Sequence, residues 1–173
     1  MGGVSSGNYF TLARFLLARP QDGARFLGMR RVPTVLLADD DENDRYLLDL
    51  AFEKNGLPNV LQVVRNGEEA IEYLRGDGVY SDREQYPWPA LMLLDLKMPL
   101  VDGFEVLAWW QKQEKTHGLP IIVLSSSNQE RDIQRAMALG ATEYCAKPVD
   151  FEHVLAVARN LRDRWLSTEP TLC

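Results

Sequence analysis

Between Pro33 and Leu166 the apolar positions follow two alternating rhythms. Short, nearly unbroken apolar runs read as β-strands: "TVLLAD" (34 to 39), "VLQVV" (60 to 64), "ALMLLD" (90 to 95), "PIIVLS" (120 to 125) and "EYCA" (143 to 146). Three of the five are almost wholly apolar, which suits central parallel strands covered on both faces. Between and after them lie "ENDRYLLDLAFEKNG", "GEEAIEYLRGD", "GFEVLAWWQKQEK", "QERDIQRAMALG" and "DFEHVLAVARNLRDRWL", each with apolar residues three and four apart, the spacing of one helix face. Gly56 and Gly140 are suitable helix stops. Strand and helix alternate at lengths that require crossover connections, so the pattern predicts an α/β fold: a doubly wound parallel sheet of five strands with helices on both faces.

In such a sheet, ligands sit outside the carboxyl ends of the strands. Those ends carry Asp39 and Asp40, Asp95, Ser125 and Lys147. Crowded carboxylates repel one another unless a hard cation neutralises them, and magnesium suits an all-oxygen set made of two carboxylates and a backbone carbonyl. A carboxylate presented at a strand end can also attack phosphorus to form an acyl phosphate, and Asp95 is best placed to do so. The transferring phosphoryl group needs a cation, a hydroxyl or amide donor and a positive side chain around it, needs that magnesium, Ser125 and Lys147 match.

Plainer readings stand beside these. An aspartate after a strand is often a helix cap or turn residue, and Asp41 and Asp44 read as that or as solvated surface. Lys147 alone could be a surface lysine, Ser125 a strand-end turn and Tyr144 a core residue. His117 and His153 lie away from the acidic edge and are assigned no chemistry. Trp109 and Trp110, about 100° apart on one helix, cannot both face the core fully.

Composition narrows the picture. The 173 residues are 46% hydrophobic and 25% charged, ordinary for one globular domain. The formal charge of -6 carries no basic block, so direct nucleic-acid binding is not expected. Two cysteines, Cys145 and Cys173, argue against a disulfide framework or zinc cluster and fit a reducing compartment, the cytoplasm. No apolar run approaches the ~20 residues that span a bilayer. Residues 1–33 are Gly-rich and Arg-rich, with one apolar patch, "FTLARFLLA", broken by Arg14; this leader is expected to be a partly ordered appendage, from an upstream start (Met29 precedes the first strand) or added to the natural chain.

The motifs "ADDD", "LLDLKMPLVDG", "VLSSS" and "EYCAKP", in this order, resemble the receiver domain of two-component response regulators over roughly residues 34 to 166. The resemblance implies a flavodoxin-like sheet of strand order 2-1-3-4-5. It makes Asp95 the phosphoacceptor, Asp40 a direct magnesium ligand, Asp39 a ligand through water, and the carbonyl of Lys97 the remaining protein ligand. Ser125 becomes the switch hydroxyl, Lys147 the cation that pairs with the phosphoryl group, and Tyr144 the aromatic switch residue. It also implies a cis Lys147–Pro148 bond. The Lys97 side chain is expected to slow loss of the phosphoryl group, whereas Ser127, being small, leaves its side of the site open.

The long polar segment before the third strand, "VLSSSN" and the closing "WLSTEPTL" resemble the stand-alone receivers associated with bacterial phytochromes and related histidine kinases. Residues 167–173 are a tail with no room for an output domain, so a binding surface is expected to carry the signal. In the family that surface is helix four, strand five and helix five, often self-associating. On the last helix Phe151, Val154, Leu155, Ala158, Leu161 and Trp165 recur at helical spacing, mostly as core, with Trp165 the expected dimer contact. The implied partner is a sensor histidine kinase, a phytochrome among the candidates. Two other readings are weighed: a receiver-fold scaffold that takes no phosphate, which usually lacks one of the acids, the hydroxyl or the lysine, all present here; and a haloacid-dehalogenase-like phosphatase, which needs a general acid where this chain has Lys97.

Overall fold

The computed structural model describes residues 33–58, 60–113 and 118–166. Five strands, β1 (Val35–Ala38), β2 (Leu61–Val64), β3 (Leu91–Leu94), β4 (Ile121–Ser125) and β5 (Glu143–Ala146), form one sheet. Its order is β2-β1-β3-β4-β5 and every pairing is parallel. The helices are α1 (Glu42–Lys54), α2 (Gly67–Arg75), α3 (Gly103–Trp110), α4 (Glu130–Ala138) and α5 (Phe151–Leu161).

Side chains alternate across each strand and so build two cores. Leu36, Met92, Leu94, Ile121 and Val123 meet Ala70, Tyr73, Val106, Leu107 and Ala136 on the face covered by α2, α3 and α4. Val35, Leu37, Leu91, Leu93, Ile122 and Leu124 meet Leu48, Ala51, Phe52, Val154, Ala158 and Leu161, where α1 and α5 cover the other face. The three central strands are buried along their whole length, as their unbroken apolar runs require.

Helix starts follow local chemistry. Asp41 caps α1 by accepting from the amides of Asn43 and Asp44, Asn66 caps α2, and Asp102 and Glu105 form a capping box at α3. Gly56 and Gly140 take positive φ just beyond their helices.

Several expectations need adjustment. The third helix ends at Trp110 rather than running to Lys115. The last helix passes into a π-helical turn at Arg162–Leu166 instead of continuing regularly. Trp110 is buried, and Trp109 is half-buried under the Arg75 guanidinium, 5.3 Å from its ring centre. Trp165 is half-buried against the α5 core with Arg164 over its ring. The leader before Pro33, the tail 167–173 and His117 lie outside the described residues. No described helix is long and apolar enough to cross a membrane.

The polar segment between α2 and β3 is an ordered insert. A 3-10 turn, Gly78–Ser81, folds Tyr80 and Tyr86 onto Tyr73, with ring centres 5.1 to 6.1 Å apart. The Tyr73 hydroxyl donates to the Pro87 carbonyl at 2.7 Å, and Arg83 donates to the carbonyls of Leu74 and Tyr86.

Candidate functional site

The parallel ladder runs one residue beyond β1 and β3. The Asp39 N–H donates to the Val64 carbonyl at 3.1 Å and the Asp95 N–H to the Ala38 carbonyl at 2.9 Å, so both aspartates leave the sheet from a fixed backbone. Their side chains are almost wholly buried, 1% and 6% exposed, while Asp40 beside them is exposed. Gly103, eight residues after Asp95, lets α3 approach this backbone: a Cβ there would stand 2.3 Å from the Asp95 carbonyl oxygen.

One carboxylate oxygen from each of Asp39, Asp40 and Asp95 lies within 4.8 Å of the others. Asp39 Oδ1 accepts from the Asp41 amide at 2.9 Å. Its Oδ2 is buried and faces Lys147 Nζ at 2.9 Å in an ion pair. An oxygen-only set of three clustered carboxylates fits a hard divalent cation. Burial pushes the Asp39 carboxyl above the usual carboxylate range, and Lys147 only partly opposes it. Asp95 is held from two sides, its Oδ2 accepting from Lys147 Nζ at 2.9 Å and its Oδ1 from the Lys97 amide at 3.2 Å.

Lys147 thus reaches Asp39 and Asp95, and it reaches Asp44 more closely still, at 2.7 Å. Burial works against its charged form, yet the hydrogen bonds to Asp44, Asp95 and Asp39 outweigh that and raise its pKa. The expected cis Lys147–Pro148 bond is not found: no described peptide bond is cis. The trans isomer is favoured by about 0.5–1 kcal/mol, and the ammonium reaches all three carboxylates with it.

Ser125, at the end of β4, is fully buried, and its carbonyl accepts from the Lys147 amide at 2.8 Å. Its hydroxyl oxygen accepts from the Ser127 N–H at 3.2 Å. Tyr144, half-buried, donates its hydroxyl to the Ser127 carbonyl at 2.8 Å. Burial pushes its phenol up, with contacts to Ser125 and Ser127 drawing it back. Ser127 is buried, and its hydroxyl donates to Asp132 of α4 at 2.6 Å. His153 is an exposed local partner of the α5 cap Asp150.

All the predicted acids and the lysine therefore converge. The residue missed is Asp44, which reads as an acid in the first turn of α1. A usable signal was its place in that turn, since helical side chains lean towards the N-terminus and so towards the sheet edge.

Residues 35–159 match the family model described as the response regulator receiver domain. The probable methanogenesis regulatory protein FilR2 of Methanothrix harundinacea is 32% identical over 132 residues, 76% of this chain and 83% of that protein. The phosphorylated cyanobacterial phytochrome response regulator RcpA superposes with a TM-score of 0.73 at 31% identity, covering 81% of this chain and 98% of that one. The Mn(2+)-bound form of response regulator Rcp1, known from Synechocystis, does so with a TM-score of 0.69 at 28% identity, covering 82% and 99%. Among the relatives, then, are a phytochrome response regulator and a response regulator that holds a divalent metal. Sheet order, acidic edge and family match agree, and the chain belongs to the response regulator receiver family of two-component signalling.

Proposed function

We propose that this protein accepts a phosphoryl group on Asp95 from a phosphohistidine of a partner sensor kinase, in a magnesium-dependent reaction, and signals through a change of binding surface. The observation that carries this is the hold on Asp95: a buried carboxylate between the Lys147 ammonium and the Lys97 amide, beside two further acids. In the transfer, an Asp95 carboxylate oxygen forms the new O–P bond, the P–N bond to the histidine breaks, and its electron pair returns to the imidazole nitrogen. Magnesium, held by Asp39, Asp40, Asp95 and the Lys97 carbonyl, would supply positive charge to the phosphoryl oxygens. Lys147 pairs with one of those oxygens and Ser125 donates its hydroxyl to another. A swing of the Ser125 hydroxyl towards the phosphoryl group would weaken its bond from the Ser127 amide and so disturb the residue whose carbonyl Tyr144 holds.

The change would be read on the surface of α4, β5 and α5, where self-association is also expected, with Trp165 at its margin. The likeness to phytochrome response regulators supports a phytochrome-type kinase as partner, met in the cytoplasm. The acidic net charge supports a protein partner over nucleic acid. Residues 34 to 166 would make up the receiver unit, and the exposed Lys97 side chain would slow phosphoryl loss.

The test is to incubate the full chain with magnesium and a small acyl phosphate donor and then weigh it intact. A gain of one phosphoryl mass, absent without magnesium, is expected. No gain from an active donor would favour the phosphate-independent scaffold.

A further inference from the structure

Asp44 lies outside the three-carboxylate cluster, yet it makes the shortest of the Lys147 contacts, 2.7 Å against 2.9 Å to Asp39 and 2.9 Å to Asp95. Those two acids are the groups that a cation and a phosphoryl group must engage, and the lysine masks both. An incoming cation competes with the ammonium for these carboxylates. Asp44 is where the ammonium can go: its side chain is 38% exposed, and a small cavity whose lining includes Asp39, Asp44 and Lys147 leaves room for the ammonium between the two acids. Asp44 is itself fixed, because its amide donates to the capping carboxylate of Asp41 at 3.1 Å and its first-turn position aims its side chain at the sheet edge.

We propose that Asp44 is a positioning residue for the metal and phosphoryl site: it holds the Lys147 ammonium aside, on the α1 flank, so that Asp39 and Asp95 are free to take a divalent cation. The inference rests on the reading of Asp95 and its neighbours as that site. Without Asp44, the ammonium is shared by Asp39 and Asp95 alone, and a cation must displace a tighter pairing.

Magnesium binding to the full chain by titration calorimetry, with no phosphodonor present, tests this in a double-mutant cycle. Asp44→Asn is expected to weaken magnesium binding about three- to tenfold when Lys147 is present, and less than about twofold in a Lys147→Met background. Asp44→Glu, which keeps the charge, is expected to restore binding to within about twofold of the parent. Equal weakening in both lysine backgrounds would overturn the proposal, because Asp44 would then act only as a distant negative charge. So would unchanged affinity in Asp44→Asn. Thermal melts of each variant separate a binding loss from a folding loss, and a folded Asp44→Glu that still binds as weakly as Asp44→Asn also counts against it. If the parent chain itself binds no magnesium, the underlying site reading fails instead, a result distinct from every outcome above.

Discussion

At the ends of β1 and β3, Asp39, Asp44 and Asp95 gather around one ammonium with Asp40 beside them, whereas the insert between α2 and β3 closes on itself through three tyrosines and an arginine. Both are loop regions raised on the same sheet. In the insert, each buried polar group that the packing creates finds a neighbour: the Tyr73 hydroxyl has Pro87, and Arg83 has Leu74 and Tyr86. Burial pushes the Tyr73 phenol up to about 12, so that ring stays neutral in its pocket. The acidic edge is left unbalanced, with Asp39, Asp40, Asp44 and Asp95 clustered beside the Lys147 ammonium. A region that satisfies itself is structural; a region left short of positive charge is poised for a ligand.

The largest effect that would break this contrast is on Asp95. Asp95→Asn is expected to abolish the phosphoryl mass gain, while Arg83→Ala in the insert leaves it intact; a residual gain in Asp95→Asn would move the acceptor elsewhere. Next, magnesium should stabilise the parent by about 2.7 kcal/mol at a hundredfold excess over its dissociation constant, read as a rise in melting temperature. Asp39→Asn should lose most of that rise, and Tyr86→Ala none of it.

Gly103→Ala forces a Cβ against the Asp95 carbonyl and the Leu96 Cα, so a cost of about 1–3 kcal/mol or more is expected in urea unfolding, together with slower phosphorylation. A neutral result would show that α3 can shift away from the site. Tyr86→Ala should cost about 1–2 kcal/mol, from lost ring contacts at a half-buried position, without altering the phosphorylation rate. If it slowed phosphorylation, the two regions would be coupled.

The smallest effect lies in the alkaline limb of stability in the metal-free protein. The folded pKa of Lys147 is raised, so its contribution is fully present below its ordinary value of 10.5 and is lost as pH rises through the higher folded value. The stability difference between the parent and Lys147→Met should therefore shrink above pH 10.5. A constant difference would mean that the lysine acts through packing alone.

The sequence by itself determined the five strands, their crossover spacing and the acids at their ends, because apolar runs and strand-end residues are set by neighbours in the chain. It therefore also exposed Asp39, Asp40, Asp95, Ser125 and Lys147 as a set. The insert was misjudged as a merely polar loop, since Tyr80 and Tyr86 show their purpose only when Tyr73 comes beneath them from α2. Asp44 was hidden for a similar reason. In the chain it is an ordinary acid in a helix's first turn, 103 residues from Lys147. Only the packing of α1 and α5 on one face of the sheet, which brings distant segments within a hydrogen bond's reach, decided that this carboxylate would hold the lysine.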